Sequence, residues 1–283
     1  MRKFDPLTRI SILWLGLITF LAIFGPFFNL PNPTDFDLDA ISVSMFSPGH
    51  LLGTDANGYD LLSNIVNGAR VSLMIAVISV GIGGAIGSAI GIISAFVRGK
   101  VDYVVNSIMN IMLAIPNLVL GLALVAVLAT SPDPSIPVSS SRRIIVIIVS
   151  LTIVIIPILG RIARSATLTW INREFVVAAR SMGMKDRDII IKHIVPNVLP
   201  TIYAIGFLAI GVVIVAEGAL ALLGVGIVDG VSWGAMIARV SGEIQYSPQS
   251  MYVPVAVLAF TVIACNQIGD YLRSRLDQRE GRL

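Results

Sequence analysis

Residues 174–197, EFVVAARSMGMKDRDIIIKHIVPN, form a polar, basic island between two long apolar runs, and their reading decides what the rest of the chain can be. The local signals are those of two short helices joined at a glycine. Asn172 can serve as N-cap, Glu174 lies in the first turn, and Gly183 offers the left-handed residue that ends a helix after Met182. Asp186 can then cap a second helix, which Pro196 stops or kinks. A helix-glycine-helix projecting from a membrane domain is suited to docking. Ala178 and Ala179 are small enough to let a partner approach the backbone, while Phe175, Val176 and Met182 supply apolar contacts and Arg180 a positive charge.

Composition sets the frame around that island. The chain has 283 residues, 55% hydrophobic and 13% charged, with a mean hydropathy of +0.87, which is an integral membrane protein of the all-α class. Uncharged runs at 10–28, 71–97, 103–130, 144–160, 198–216 and 251–269 are each near or above the ~17 to 25 residues needed to cross a bilayer. They predict six transmembrane helices, the first retained because no small-x-small cleavage site follows it. Of the 20 Lys and Arg residues, only Arg70, Arg142, Arg143 and Arg239 fall on the outer side if the N-terminus is inside, leaving sixteen within. The predicted protein is therefore multi-pass with both termini cytoplasmic, and residues 174–197 face the cytoplasm. The organisation expected is an N-terminal helix with an outer segment at 1–70, a five-helix core at 71–272 with an inner loop at 161–197, and a charged tail at 273–283.

Within the spans, Ser79, Gly83, Gly87, Gly91 and Ala95 recur every four residues and make one flat face for close helix packing. Asn106, Asn110 and Asn117 are expensive in lipid and should face other helices or a pathway. Glu217 is the one formally charged residue inside a hydrophobic stretch, which admits either a structural or a pathway role. The outer loop SPDPSIPVSSS, 131–141, is proline- and serine-rich, and Arg142 and Arg143 beside it are expected to snorkel to headgroups. His50 is a lone histidine, and Cys265 a lone cysteine within an apolar run, so no metal site is predicted.

Taken together, these motifs resemble the permease subunits of bacterial ATP-driven (ABC-type) importers. Ala178-Ala179, Gly183 and Pro196 fall on the family's E-A-A loop, with Val177 in place of its glutamate. HLLGTDANGYDLLSNIVNGARVSL at 50–73, EGALALLGVG at 217–226, VSWGAMI at 231–237 and NQIGDYLRSRLDQR at 266–279 resemble segments of the dipeptide, oligopeptide and nickel importers, "C" type. Tyr59 and Asn64 stand where arginines are expected. The resemblance implies a type I importer permease fold and a non-catalytic subunit of the cytoplasmic membrane. It implies a coupling surface at Glu174, Phe175, Ala178, Ala179, Arg180, Met182, Gly183 and Asp186. It also implies a path near Asn106, Asn110, Asn117 and Glu217, and binding-protein docking at Asp55, Asp60, Trp233 and Arg239 with Glu243 and Tyr246. The partners implied are a second, "B"-type permease, two ATPase subunits that bind ATP and Mg, and an extracytoplasmic binding protein, with no nucleic acid. Short peptides are the cargo it favours, with nickel chelates, glutathione or another small solute as alternatives.

The chain's own chemistry is consistent with borrowed energy. Gly99-Lys100 is followed by Val101 and has Ser94 where a phosphate-binding loop needs its first glycine, so there is no Walker A motif. No His-Glu-x-x-His, Cys pair or Ser/His/Asp constellation suggests an enzyme. A secondary transporter would show several intramembrane ionisable groups and inverted-repeat symmetry, whereas Glu217 is nearly alone.

Overall fold

The computed structural model describes residues 5–129, 139–227, 231–242, 244–245 and 247–280, and these are organised as helices with a few isolated bridges. In chain order the helices are α1 (Pro6–Phe24), α2 (Leu61–Val97), α3 (Gly99–Ala114), α4 (Asn117–Leu128), α5 (Ser140–Trp170), α6 (Glu174–Ser181), α7 (Asp186–Ile189), α8 (Val195–Leu222), α9 (Trp233–Val240) and α10 (Pro248–Glu280). Five segments are long and apolar enough to cross a membrane. A sixth exists if α3 and α4, bent by 90°, count as one span.

Helix directions resolve that count. A side chain at Gly83 would strike the Thr152 carbonyl, one at Gly87 the Ile156 carbonyl, and one at Gly91 the Gly160 carbonyl. The partners rise together along both sequences, so α2 and α5 run parallel with their backbones in close approach, as the small-residue stripe requires. Two parallel helices need the chain to return between them, so α3 and α4 together make one crossing. It breaks at Ile115, whose extended backbone (φ −84, ψ 129) is what the following Pro116 imposes.

Contacts of Ser72 with Glu217 and of Gly206 with Val80 set α8 antiparallel to α2. Those of Gly211 with Val262 and of Gly269 with Ala204 set α10 antiparallel to α8. With Gly25, just past α1, packed on Val66 of α2, six crossings leave α1's start and α10's finish at the same end of the bundle.

Several spans exceed their predicted bounds, for local reasons. Asp60 accepts from the Ser63 N–H at 2.7 Å and caps α2 ten residues before the expected start, with Arg70 carried on an exposed flank. The helix expected at 144–160 runs on to Trp170. Its Arg164 is met by Asp102 of α3 in a two-pronged ion pair, 2.6 and 2.7 Å, which makes the charge tolerable there. The span expected at 198–216 begins at Asp186 and ends at Leu222. Of the outer loop at 131–141, residues 131–138 lie outside the described residues. Arg143 donates to the Gly226 carbonyl at 3.1 Å, tying the start of α5 to the loop after α8 instead of reaching for headgroups.

Candidate functional site

The two ends of the bundle are called inner and outer after the sides expected from the charge bias; the inner end so named is built from α6, α7 and a π turn. Gly183 is left-handed (φ 82), and its N–H donates to the Arg180 carbonyl at 3.0 Å while the Met184 N–H donates to the Ala179 carbonyl at 3.1 Å. This pair of bonds is a Schellman motif, which fixes the angle at which α6 leaves. The predicted caps are shifted: Arg173 and Lys185 hold the N-cap positions, in place of Asn172 and Asp186, and neither makes a side-chain cap bond. Asn172 instead accepts from Arg98 at 3.2 Å. Pro196 does not stop the helix. Its missing N–H lies just beyond the π turn Ile190–Ile194, where the Val195 N–H reaches back to the Ile190 carbonyl.

The helix α6 has two faces with different occupants. Val176 and Ala179 are buried against Ile92, Phe96, Trp170, Ile189 and Ile194 of the chain itself. Ala179 is therefore a packing residue and not a point of partner approach, a correction to the sequence reading. Phe175, Val177, Ala178 and Met182 face outward, with Met182 78% exposed. Phe175 packs between Trp170 and His193 at ring-centroid distances of 6.1 and 6.0 Å. Around this strip stand exposed Glu174, Arg180, Asp186 and Lys192. Their ion pairs are long: Arg180–Asp186 at 3.8 Å and Lys192–Asp188 at 3.6 Å.

The outer end is a buried polar lattice. Glu217, 1% exposed, accepts from Ser232 at 2.6 Å and Ser72 at 3.4 Å, and the Gly234 N–H donates to it as well. The Trp233 N–H donates to the Ser72 hydroxyl at 3.1 Å and its indole N–H to the Ile65 carbonyl, also at 3.1 Å. A Cβ on Gly234 would stand 2.6 Å from the Gly218 Cα, so the S-W-G residues place α9 directly on α8. Every acceptor of the carboxylate is thus engaged within the chain. Glu217 serves as a structural tie between α2, α8 and the start of α9.

Asp55, Asp60, Trp233 and Arg239 do come together at this end, but beneath its surface. Asp55 is fully buried and lies 3.1 Å from Arg239, which also stacks on Tyr59 at 4.1 Å and donates to Asn64 at 3.1 Å. Asp60 binds His50 Nδ1 at 2.8 Å while capping α2. Asp55, Asp60 and Trp233 therefore shape an outer surface without forming it. Glu243 and Tyr246 lie outside the described residues. Tyr59 and Asn64, which depart from the family pattern, both serve the Arg239 guanidinium.

Asn106 is half-buried on α3, whereas Asn110 and, at the break, Asn117 are exposed. Asn110 and Asn117 are thus left uncovered by the described helices of this chain. The Asp102–Arg164 clamp was missed in the sequence, although a carboxylate just inside α3 and an arginine within α5 were visible signals.

The family model for the binding-protein-dependent transport system inner membrane component matches residues 87–282. The dipeptide transport system permease protein DppC of Alkalihalophilus pseudofirmus is 31% identical, covering 96% of this chain and 86% of that protein. The oligopeptide transport system permease protein OppC of Haemophilus influenzae is 31% identical over 95% of this chain and 84% of its own length. The probable D,D-dipeptide transport system permease protein DdpC of Escherichia coli is 33% identical over 99% and 90%. An inward-facing structure of the MetNI methionine ABC transporter superposes with a TM-score of 0.60 at 23% identity, covering 74% of this chain and 94% of that one, a likeness of fold.

Proposed function

The chain belongs to the binding-protein-dependent transport system inner membrane components and is a multi-pass permease subunit of an importer; on that premise we propose that it carries short peptides and is driven by separate ATPase subunits seated on α6. The observation that carries this is the divided face of that helix. Val176 and Ala179 anchor it to the membrane core, while Phe175, Val177, Ala178 and Met182 are left outside with a rim of mixed charge. ATP and Mg are handled by the partner subunits, and closure of two of them moves α6, α7 and the π turn as one lever on α8.

A second permease covers the open side that carries Asn106, Asn110 and Asn117, and the path lies between the two. The sixteen inner cations against four outer ones support both termini and α6 being cytoplasmic. Peptide cargo rests on relatives named for dipeptides and oligopeptides. A relative named for glutathione, GsiD of Pectobacterium atrosepticum, 30% identical over 86% of this chain, keeps that small peptide within the class.

The test is hydrolysis of ATP by the reconstituted complex with Ala178→Trp, a change on the outward face that meets no packing in this chain. The expected result is an assembled membrane subunit whose stimulation by peptide-loaded binding protein is lost. Unchanged stimulation would remove α6 as the seat of the ATPase.

A further inference from the structure

The turn between α2 and α3 is a single residue, Arg98, with a backbone that an arginine seldom takes. Its φ of 61 and ψ of −164 lie in a region that glycine alone enters without strain, and Gly99 follows with φ 62. The chain thus keeps an arginine where the geometry asks for glycine. The inner bias of cations does not require it there, because Lys100 supplies a positive charge from within α3. A strained residue persists only where surrounding contacts hold it, so the reason lies in what its side chain reaches.

It reaches the root of α6. The Arg98 guanidinium donates from Nη2 to Asn172 Oδ1 at 3.2 Å, in the turn that joins α5 to α6. Arg180, near the far end of α6, lies over the Phe96 ring of α2 at 5.4 Å. Both ends of α6 therefore lean on the end of α2. One turn into α3, Asp102 grips Arg164 of α5 through two bonds of 2.6 and 2.7 Å. The helix α3 has few other holds. Met109 is its one buried residue among those described, set against α5 where a Cβ on Gly160 would stand 2.5 Å from the Met109 Cε. The Asp102–Arg164 clamp is thus the polar fixture of a helix that carries Asn106 and Asn110 and leads into the break at Ile115.

We propose that Arg98, Asp102, Arg164 and Asn172 are positioning residues for transport, a linkage that passes displacement of α6 to the bent crossing of α3 and α4. It rests on the reading that the ATPases seat on α6, and adds a second branch to the lever on α8. A push on α6 moves Asn172, Arg98 carries that movement to the start of α3, and the clamp makes Arg164 the pivot about which α3 turns. The break at Ile115 and Pro116 takes up the movement, beside Asn110 and Asn117. With glycine at position 98 the turn forms more easily, but α6 then moves with little effect on α3.

The experiment is hydrogen exchange on the complete complex in lipid nanodiscs, nucleotide-free and trapped with ATP and vanadate, alongside its thermal unfolding. In the wild type, assembly protects the amides of α6, and trapping changes exchange across residues 112–120 by about five-fold or more, the low end of coupling between sites. Arg98→Gly is expected to unfold at the same temperature or higher, since the strain is relieved, and to lose the change at 112–120 while α6 stays protected. Arg98→Lys keeps a cation and a donor for Asn172, and retains most of the change. Asp102→Asn loses it, and the exchanged pair, Asp102→Arg with Arg164→Asp, restores it. A full change in Arg98→Gly, or none in the wild type, overturns the linkage. So does a lower unfolding temperature for Arg98→Gly, which would make Arg98 a structural brace. Failure of α6 to gain protection on assembly overturns the seat on α6, and the linkage with it, and is thereby told apart from failure of the linkage alone.

Discussion

The two ends of the bundle are held by different kinds of contact. At the outer end, Glu217 joins Ser72 and Ser232, and Arg239 joins Asp55 and Asn64, across separations of up to 184 residues, in bonds near 3 Å and largely out of water. At the inner end, α6 and α7 are joined by a glycine turn and an exposed Arg180–Asp186 pair at 3.8 Å, α7 is tied to the π turn by an exposed Lys192–Asp188 pair at 3.6 Å, and α6 buries Val176 and Ala179 while Phe175, Val177, Ala178 and Met182 stay exposed. Buried, hydrogen-bonded charges break at high cost, whereas exposed pairs contribute little. The outer end is closed by contacts within the chain, whereas the inner end leaves Phe175, Val177, Ala178 and Met182 exposed.

Substitutions can break or sharpen that contrast. The largest loss is expected from Glu217→Ala, which strands two buried hydroxyls and the Gly234 N–H. Thermal unfolding of the detergent-solubilised protein should report about 3 kcal/mol of destabilisation, and a loss below about 1 kcal/mol would show that α9 is held by packing alone. Arg239→Met comes next, at about 2 to 3 kcal/mol, because Asp55 stays buried without its cation. Adding Asp55→Asn should recover part of that loss in a double-mutant cycle. Strict additivity would mean the pair is not coupled.

At the inner end the expected order of stability and function reverses. Gly183→Asp places a side chain at φ 82 and should cost only about 1 kcal/mol of stability, yet remove most of the stimulated ATP hydrolysis by altering the angle at which α6 projects. A variant that unfolds, or one that stays fully stimulated, would contradict that separation. Smallest of all is Lys192→Ala, which opens an exposed pair with Asp188 and should shift stability by less than about 0.5 kcal/mol. Such a change measured at several times that size would mean the inner end is more fixed than its geometry implies.

Much of this was legible in the chain because the signals are local. Gly183 was read as left-handed and is, since a glycine between a helix and a second cap has few other uses. The stripe from Ser79 to Ala95 was read as a close-packing face, and the backbone carbonyls of α5 lie against it. Ala179 could not be told from Ala178 in the same way. Adjacent residues on a short helix point about 100° apart, and which one faces inward depends on where Phe96 and Ile194 sit.

The same limit explains the outer end. Asp55, Asp60 and Trp233 carry polar or amphipathic groups in an extramembrane stretch, so exposure was the natural expectation. Their burial depends on Arg239, Ser72 and His50, partners that no periodicity connects to them.

Hydropathy, charge asymmetry and the special conformations of glycine and proline act residue by residue or over one helix length. They were therefore sufficient, by sequence alone, for the all-α membrane class, the six apolar runs, the cation bias and the turn at Gly183. Tertiary structure decided what depends on distance between remote segments: that α2 and α5 run parallel, so that the bent α3 and α4 make one crossing, and that Glu217 is a buried tie between α2, α8 and α9. It also decided which of two neighbouring alanines is open to a partner. Those outcomes turn on packing between helices far apart in sequence, where the free energy of a carboxylate or a methyl group depends on what lies opposite it in space.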